Sequence, residues 1–156
     1  MRKIRKKFKR PQKPWDSKRI GDEKKLMQSY GLRNKRELWR SEEVLRQFRR
    51  RARELIAAED PEKQKVLMDK LVKLGMLSKE AGLDDVLALE ITSLLERRLQ
   101  TIIHKKRLGS TPFHSRQLIT HGHVYIGGKR TKFPSYLVES EEEGKITLKA
   151  LKGGKS

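Results

Sequence analysis

The sequence predicts an α+β fold: a basic N-terminal arm, a mainly helical domain, and a small module in which helices pack on a short antiparallel sheet. Three observations carry this. Apolar residues recur at three- and four-residue intervals through much of the chain, which is the period of amphipathic helices. Residues 115–130 read as a short helix, a glycine stop and a tight hairpin. The opening segment is too charged to build a core.

Taken in order, Arg2, Lys3, Arg5, Lys6, Lys7, Lys9, Arg10 and Lys13 fall within the first 13 positions with no Asp or Glu among them. Residues 1–16 are therefore expected to form an extended basic arm, of which residues 1–13 stay disordered until phosphates remove their self-repulsion. A solubilising tail is the plainer alternative. Phe8 and Trp15 interleave with the cations and suit either stacking on bases or packing on the domain that follows.

Residues 17–95 form the expected helical domain. Helical signals run over residues 17–30, with Gly31 as a stop. Leu38, Ser41, Leu45, Phe48, Ala52, Leu55 and Ile56 share one stripe of a long helix. Arg46, Arg49, Arg50 and Arg53 fall largely on another face and form a ridge suited to tracking phosphates. Asp60-Pro61-Glu62 is a helix start, with a cap, a first-turn proline and an acid favoured by the macrodipole. Leu67, Leu71 and Leu74 carry that helix's stripe and Gly75 ends it. Met76, Leu77, Leu83, Val86, Leu87 and Leu89 extend the buried set through a short helix near residues 84–88.

The module is expected at residues 96–148. Thr92 is read as the cap of a helix whose Leu95, Leu99, Ile102 and Ile103 face inward while Arg97, Thr101 and His104 face out. Lys105, Lys106 and Arg107 gather at its C-terminus, where the dipole alone would justify them, and Gly109 closes it. Thr111 then caps, and Pro112 opens, a helix with Leu118 and Ile119 turned inward. Arg116 lies roughly opposite Leu118, so Arg116→Glu should harm binding far more than folding. Gly122 ends this helix, Val124 and Ile126 alternate as a strand, and Gly127-Gly128 supplies the turn. Pro134 marks an edge or bend, an acidic turn follows at residues 139–144, and a strand at residues 145–148. Residues 149–156 read as a frayed tail.

The 156 residues carry 39 Lys and Arg against 20 Asp and Glu, a formal charge of +19. Such an excess calls for a polyanionic partner, because a phosphate backbone converts self-repulsion into affinity through counterion release. Nucleic acid suits it better than a membrane, since no helix pairs one apolar face with flanking lysines and no run of about 18 apolar residues occurs. The basic start lacks an apolar h-region and is not a secretory signal; two prolines and near-continuous charge leave little of the amphipathic surface a mitochondrial presequence needs. The absence of Cys excludes disulfides, thiolate zinc sites and cysteine catalysis, and a cytosolic compartment fits. His121 and His123 lack a third ligand, so no metal is expected; helix capping and donation to phosphate are their ordinary roles. No set of nucleophile, base and orienting group and no Walker-type loop is present. An enzyme, a cofactor and a small-molecule substrate are all unexpected.

Glu96-Arg97-Arg98-Leu99-Gln100, Ser115-Arg116-Gln117-Leu118-Ile119, His121-Gly122-His123-Val124, Gly127-Gly128-Lys129 and Pro134-Ser135-Tyr136 together resemble the S-four RNA-binding domain. That domain also occurs in RNA-modifying enzymes and a transfer-RNA synthetase. Pro14-Trp15, Tyr30-Gly31-Leu32, Leu38-Trp39-Arg40, Phe48-Arg49-Arg50 and Leu83-Asp84-Asp85-Val86-Leu87 extend the likeness, which is to the small-subunit ribosomal S-four family in its archaeal and eukaryotic form. The resemblance implies a structural protein that binds small-subunit ribosomal RNA, nucleates assembly of the subunit body and influences decoding accuracy. It also implies neighbours of the S-five and S-twelve types. Arg97, Arg98, Arg116, Gln117, His121, His123 and Lys129 are the module positions it places at RNA, joined by Lys105, by the four helix arginines, and by Lys6 and Arg10 of the arm. The N-terminal zinc site of some bacterial relatives is absent, because the chain has no Cys. A non-ribosomal factor in subunit biogenesis is the alternative, and an RNA-modifying enzyme a distant third.

Overall fold

The computed structural model describes residues 7–149. Helix α1 (Ser17–Ser29) starts where Asp16 accepts the Arg19 amide at 3.3 Å, and the chain reverses through Gly31 at φ +61°. Helix α2 (Lys35–Ala58) buries Leu38, Ser41, Leu45, Ala52 and Leu55, the stripe expected from the sequence. Ile56 departs from it at 41% exposed, because it lies in the helix's last turn, where the chain is about to reverse. Glu59 makes that reversal in the left-handed region at φ 49°.

Helix α3 (Pro61–Lys73) opens on Asp60, which accepts the Lys63 amide, and stops before Gly75 at φ +65°. Helix α4 (Leu83–Ala88) then lays Val86 against α2. Leu45, Ala52 and Leu55 meet Leu67, Leu71, Val86 and Leu89 in one core, and Leu32, Leu38 and Leu95 form a smaller one beside it.

The single helix expected after Thr92 is two. Helix α5 (Ile91–Glu96) ends at Arg97, and α6 (Leu99–Lys105) begins after Arg98, whose ψ of 138° is extended. The break lets backbone groups pair with the segment after the hairpin: Val138 donates to the Arg97 carbonyl at 2.9 Å and Leu99 to that of Tyr136 at 2.8 Å. Glu90, not Thr92, is the cap residue of α5, and the Thr92 hydroxyl instead donates to the Glu90 carboxylate at 3.3 Å. Thr101 is buried rather than outward, because its hydroxyl donates across the break to the Leu95 carbonyl at 2.8 Å, beside the longer 3.3 Å bond from the Arg98 amide. Arg107 at φ 57° takes the left-handed position assigned to Gly109, while Gly109 is buried against Ser115.

Helix α7 (Pro112–Thr120) begins as read, with Thr111 accepting the His114 amide at 3.0 Å, and ends at Gly122, φ +77°. Strands β1 (Val124–Ile126) and β2 (Lys129–Arg130) turn through Gly127 and Gly128, both at positive φ. Two successive left-handed residues give the turn twist that matches a hairpin. The acidic segment is a short helix, α8 (Ser140–Glu143), and β3 (Ile146–Leu148) pairs with β1, giving antiparallel order β2-β1-β3. Leu99, Ile103, Ile119, Val124 and Val138 are wholly buried beneath this sheet and the two helices.

Candidate nucleic-acid interface

Long basic side chains reach either solvent or an internal acceptor, and the fold sorts them accordingly. On α2, Arg46, Arg50 and Arg53 are exposed. Arg46 pairs with Glu43 and Arg50 with Glu54 one turn away, surface pairs of small worth that a phosphate can displace. Arg51, not singled out from the sequence, is exposed beside them. Arg49 is different: half-buried, it donates to the Leu89 carbonyl and ties α2 to the end of α4.

Of the arm's two candidates, Lys6 lies outside the described residues. Arg10 is exposed and shares a groove with Lys9, Lys13 and Arg46, above the carboxylates of Glu23 and Glu42. The arm is anchored rather than wholly free over its described part. Arg19 donates to the Lys13 and Pro14 carbonyls at 3.0 Å each, and the Phe8 ring packs on Trp39 with centroids 6.0 Å apart. Phe8 thus takes the packing role of its two alternatives, whereas Trp15 is 90% exposed.

In the module, Gln117 and His121 stand one turn apart on the exposed side of α7, and Lys129 is exposed at the hairpin. The His121 and His123 rings lie nearly parallel, 9° apart with centroids at 6.3 Å. Among the described residues no group of three or more metal-binding side chains forms. Lys105 is exposed and sits 3.3 Å from Glu96.

The three module arginines that the sequence reading placed at RNA take internal partners. Arg97, at 15% side-chain exposure, donates to Glu143 at 2.9 Å and to the Val138 carbonyl at 3.0 Å, holding α8 and its leading segment to the helix break. Arg98 is 4% exposed and donates to Glu37 of α2 at 2.7 Å. Arg116 bends across to the same carboxylate, with bonds of 2.7 and 3.1 Å. The backbone face of Arg116 is opposite Leu118 as read, but its long stem carries the guanidinium to an internal partner. Arg116→Glu would therefore set two carboxylates together and harm folding as well as binding.

Burial by itself would raise the Glu37 pKa, yet the bonds from Arg116 and Arg98 outweigh it and hold the carboxyl below its ordinary value. Glu37 had no sequence signal: it stands one residue before the apolar stripe and belongs to no motif. Gln100 was also missed as a structural joint. At 1% exposure, its amide donates to the carbonyls of Tyr30, Gly31 and Pro112, fastening the α1–α2 turn to α7. A polar residue within the apolar run from Leu99 to Ile103 was the available clue. Arg130, missed likewise, caps α7 by donating to the carbonyls of His121 and Gly122 at 2.9 Å. Among the described residues no helix is long and apolar enough to cross a membrane.

The family model for the S4 domain matches residues 97–143, from the helix break to the end of α8. The chain is 51% identical over 148 residues to the small ribosomal subunit protein uS4 of Korarchaeum cryptofilum, spanning 94% of this chain and 89% of that protein. It is 51% identical over 145 residues to uS4 of Ignicoccus hospitalis, covering 91% and 87% of the two chains. With uS4 of Saccharolobus solfataricus it shares 50% over 149 residues, covering 93% and 82%. Likeness of this degree extends through the helical domain as well as the module, so the chain belongs to the uS4 family of small ribosomal subunit proteins.

Proposed function

We propose that this chain is a structural component of the small ribosomal subunit in the cytoplasm, bound to its ribosomal RNA through two basic surfaces. One is the exposed ridge of Arg46, Arg50, Arg51 and Arg53 with Arg10; the other is the module face of Lys105, Gln117, His121, His123 and Lys129. The observation that carries this reading is the sorting of charge. Arg49, Arg97, Arg98 and Arg116 hold the fold together internally, while the remaining candidates within the described residues lie at the surface, where Arg46, Arg50 and Lys105 make only surface ion pairs that a phosphate can displace. Membership of the uS4 family supports it.

The division into arm (residues 1–16), helical domain (17–95), RNA-binding module (96–148) and tail (149–156) belongs to the same proposal. So do early binding that nucleates the subunit body, an influence on decoding accuracy, and neighbours of the S-five and S-twelve types. About six to ten phosphate contacts should weaken affinity on the order of a thousandfold when salt rises from about 50 to 200 mM. Filter binding to naked small-subunit RNA across that range, with co-sedimentation on salt-washed subunits, tests it. Salt-independent affinity would remove the electrostatic argument, and loss from mature subunits would favour a biogenesis factor instead.

A further inference from the structure

Where Glu37 receives Arg98 and Arg116, α2 and the module do not close completely. A cavity of about 380 Å³ remains between them. Its charged lining is Glu37, Arg40, Arg98 and Arg116, so three guanidiniums face one carboxylate and two positive charges are uncompensated. The rest of the lining is largely apolar, from Val44 and Leu94 on the helical side and Pro134 and Leu137 on the other. Arg98 in this lining is buried, and its Nε has no hydrogen-bond partner. A buried donor left open costs free energy unless something fills it. Arg49 Nε is equally open, but the hollow beside it holds Glu42 and Glu90 as well as Arg46 and Arg49, so charge there is balanced and no anion is favoured.

We infer that this cleft takes one unstacked nucleotide of the bound RNA, with the base among Val44, Leu94, Pro134 and Leu137, beside the Arg98 side chain, and the phosphate on Arg40. The inference rests on the RNA-binding reading above and sharpens it to a single residue-sized site. A phosphate alone would leave the apolar lining without a partner, and an apolar side chain would leave the guanidiniums without one; a nucleotide has both an aromatic face and an anion. Single-stranded loops and junctions are where RNA presents such bases. Phe133, 70% exposed and next to Pro134, offers a stacking surface for a neighbouring base. Arg40 is exposed and makes no ion pair among the described residues, so its charge is available.

The test uses the full chain with arginine side chains labelled for NMR, titrated with the four nucleoside 5′-monophosphates and separately with inorganic phosphate. Nucleotides should shift the Arg98 Nε–H signal and phosphate should not. Val44→Trp, which fills the cleft, should erase that shift, weaken binding to folded small-subunit RNA about tenfold, and lower the salt slope by about one contact, since the phosphate on Arg40 is lost with the base. Ser135→Trp plugs the same cleft from the module side and serves if the first variant does not fold. Arg40→Gln should lower the salt slope by about one contact. An equal response to inorganic phosphate overturns the nucleotide site, as does unaltered RNA affinity in a folded plugged variant or an unaltered slope in Arg40→Gln. Failure of the unmodified chain to bind the RNA would instead overturn the RNA-binding reading itself.

Discussion

Replacing Glu37 by Gln keeps the side chain's shape while removing the carboxylate held between α2 and the module. Arg98, 4% exposed, then keeps a buried charge with no counter-charge, and Arg116, 20% exposed, loses both of its ionic bonds. Removing one partner of a buried ion pair costs about 3 to 5 kcal/mol. The amide retains one acceptor oxygen and Glu37 is itself 20% exposed, so the lower end, about 3 kcal/mol, is the expected loss. For a chain of this length that lowers the melting midpoint by about 6 to 12 °C. Urea unfolding followed by circular dichroism, at low salt and again near 1 M, separates burial from surface attraction, since salt screens exposed pairs far more than buried ones. A loss below about 1 kcal/mol, or one that vanishes in high salt, would refute the argument that this triad latches the two parts together.

The same carboxyl predicts an acid dependence. Its folded pKa lies below the ordinary 4.5, so its stabilisation is complete above that pH and is lost as pH falls through the lowered value. The stability gap between the unaltered chain and Glu37→Gln should therefore close in acid, and a gap that widens instead counts against the assignment. Leu118→Ala, at a position 8% exposed in the module core, should cost about 2 to 5 kcal/mol by thermal melting, and a loss comparable to a surface change would mean that α7 is rotated. Gly31→Ala should cost at least about 1 kcal/mol from its left-handed backbone alone. The added Cβ would also meet Pro112 Cβ at 2.6 Å and Gln100 Nε2 at 2.7 Å, so a neutral substitution would show that the α1–α2 turn is not pinned to α7.

Where local chemistry decides an element, the sequence was sufficient. Asp60-Pro61, Thr111-Pro112 and Gly127-Gly128 each satisfy or preset their own backbone, and each element they bound appears as read. Long-range pairing was not legible in that way. Nothing in the run from Thr92 to His104 marks a break at Arg98, because the gain comes from Leu137, which pairs with it some forty residues on. Glu37 and Gln100 were missed for the same reason: their partners are distant in sequence. Arg49, by contrast, carries a local signal. It stands four residues after Leu45 and three before Ala52, which puts it at the border of the buried stripe rather than with Arg46, Arg50 and Arg53.

An arginine's Cα position is a poor guide to where its charge resides, since the stem spans several ångströms and the head seeks whatever acceptor lies within reach. Arg116 and Gln117 are neighbours on one helix, yet only Gln117 presents its polar end to solvent. This has a physical consequence for recognition. Guanidiniums locked on Glu37, on the Leu89 carbonyl and on Glu143 cannot release condensed counterions, so they add little to the salt dependence of binding. What they do instead is fix the distance between the α2 ridge and the module face. Two cationic surfaces on a hinge would lose conformational entropy on engaging one RNA; two surfaces held by a buried latch have already lost it on folding. On the proposed reading, arginine in this chain serves affinity in two ways, by exposed charge offered to phosphate and by buried charge that holds the exposed charge in register.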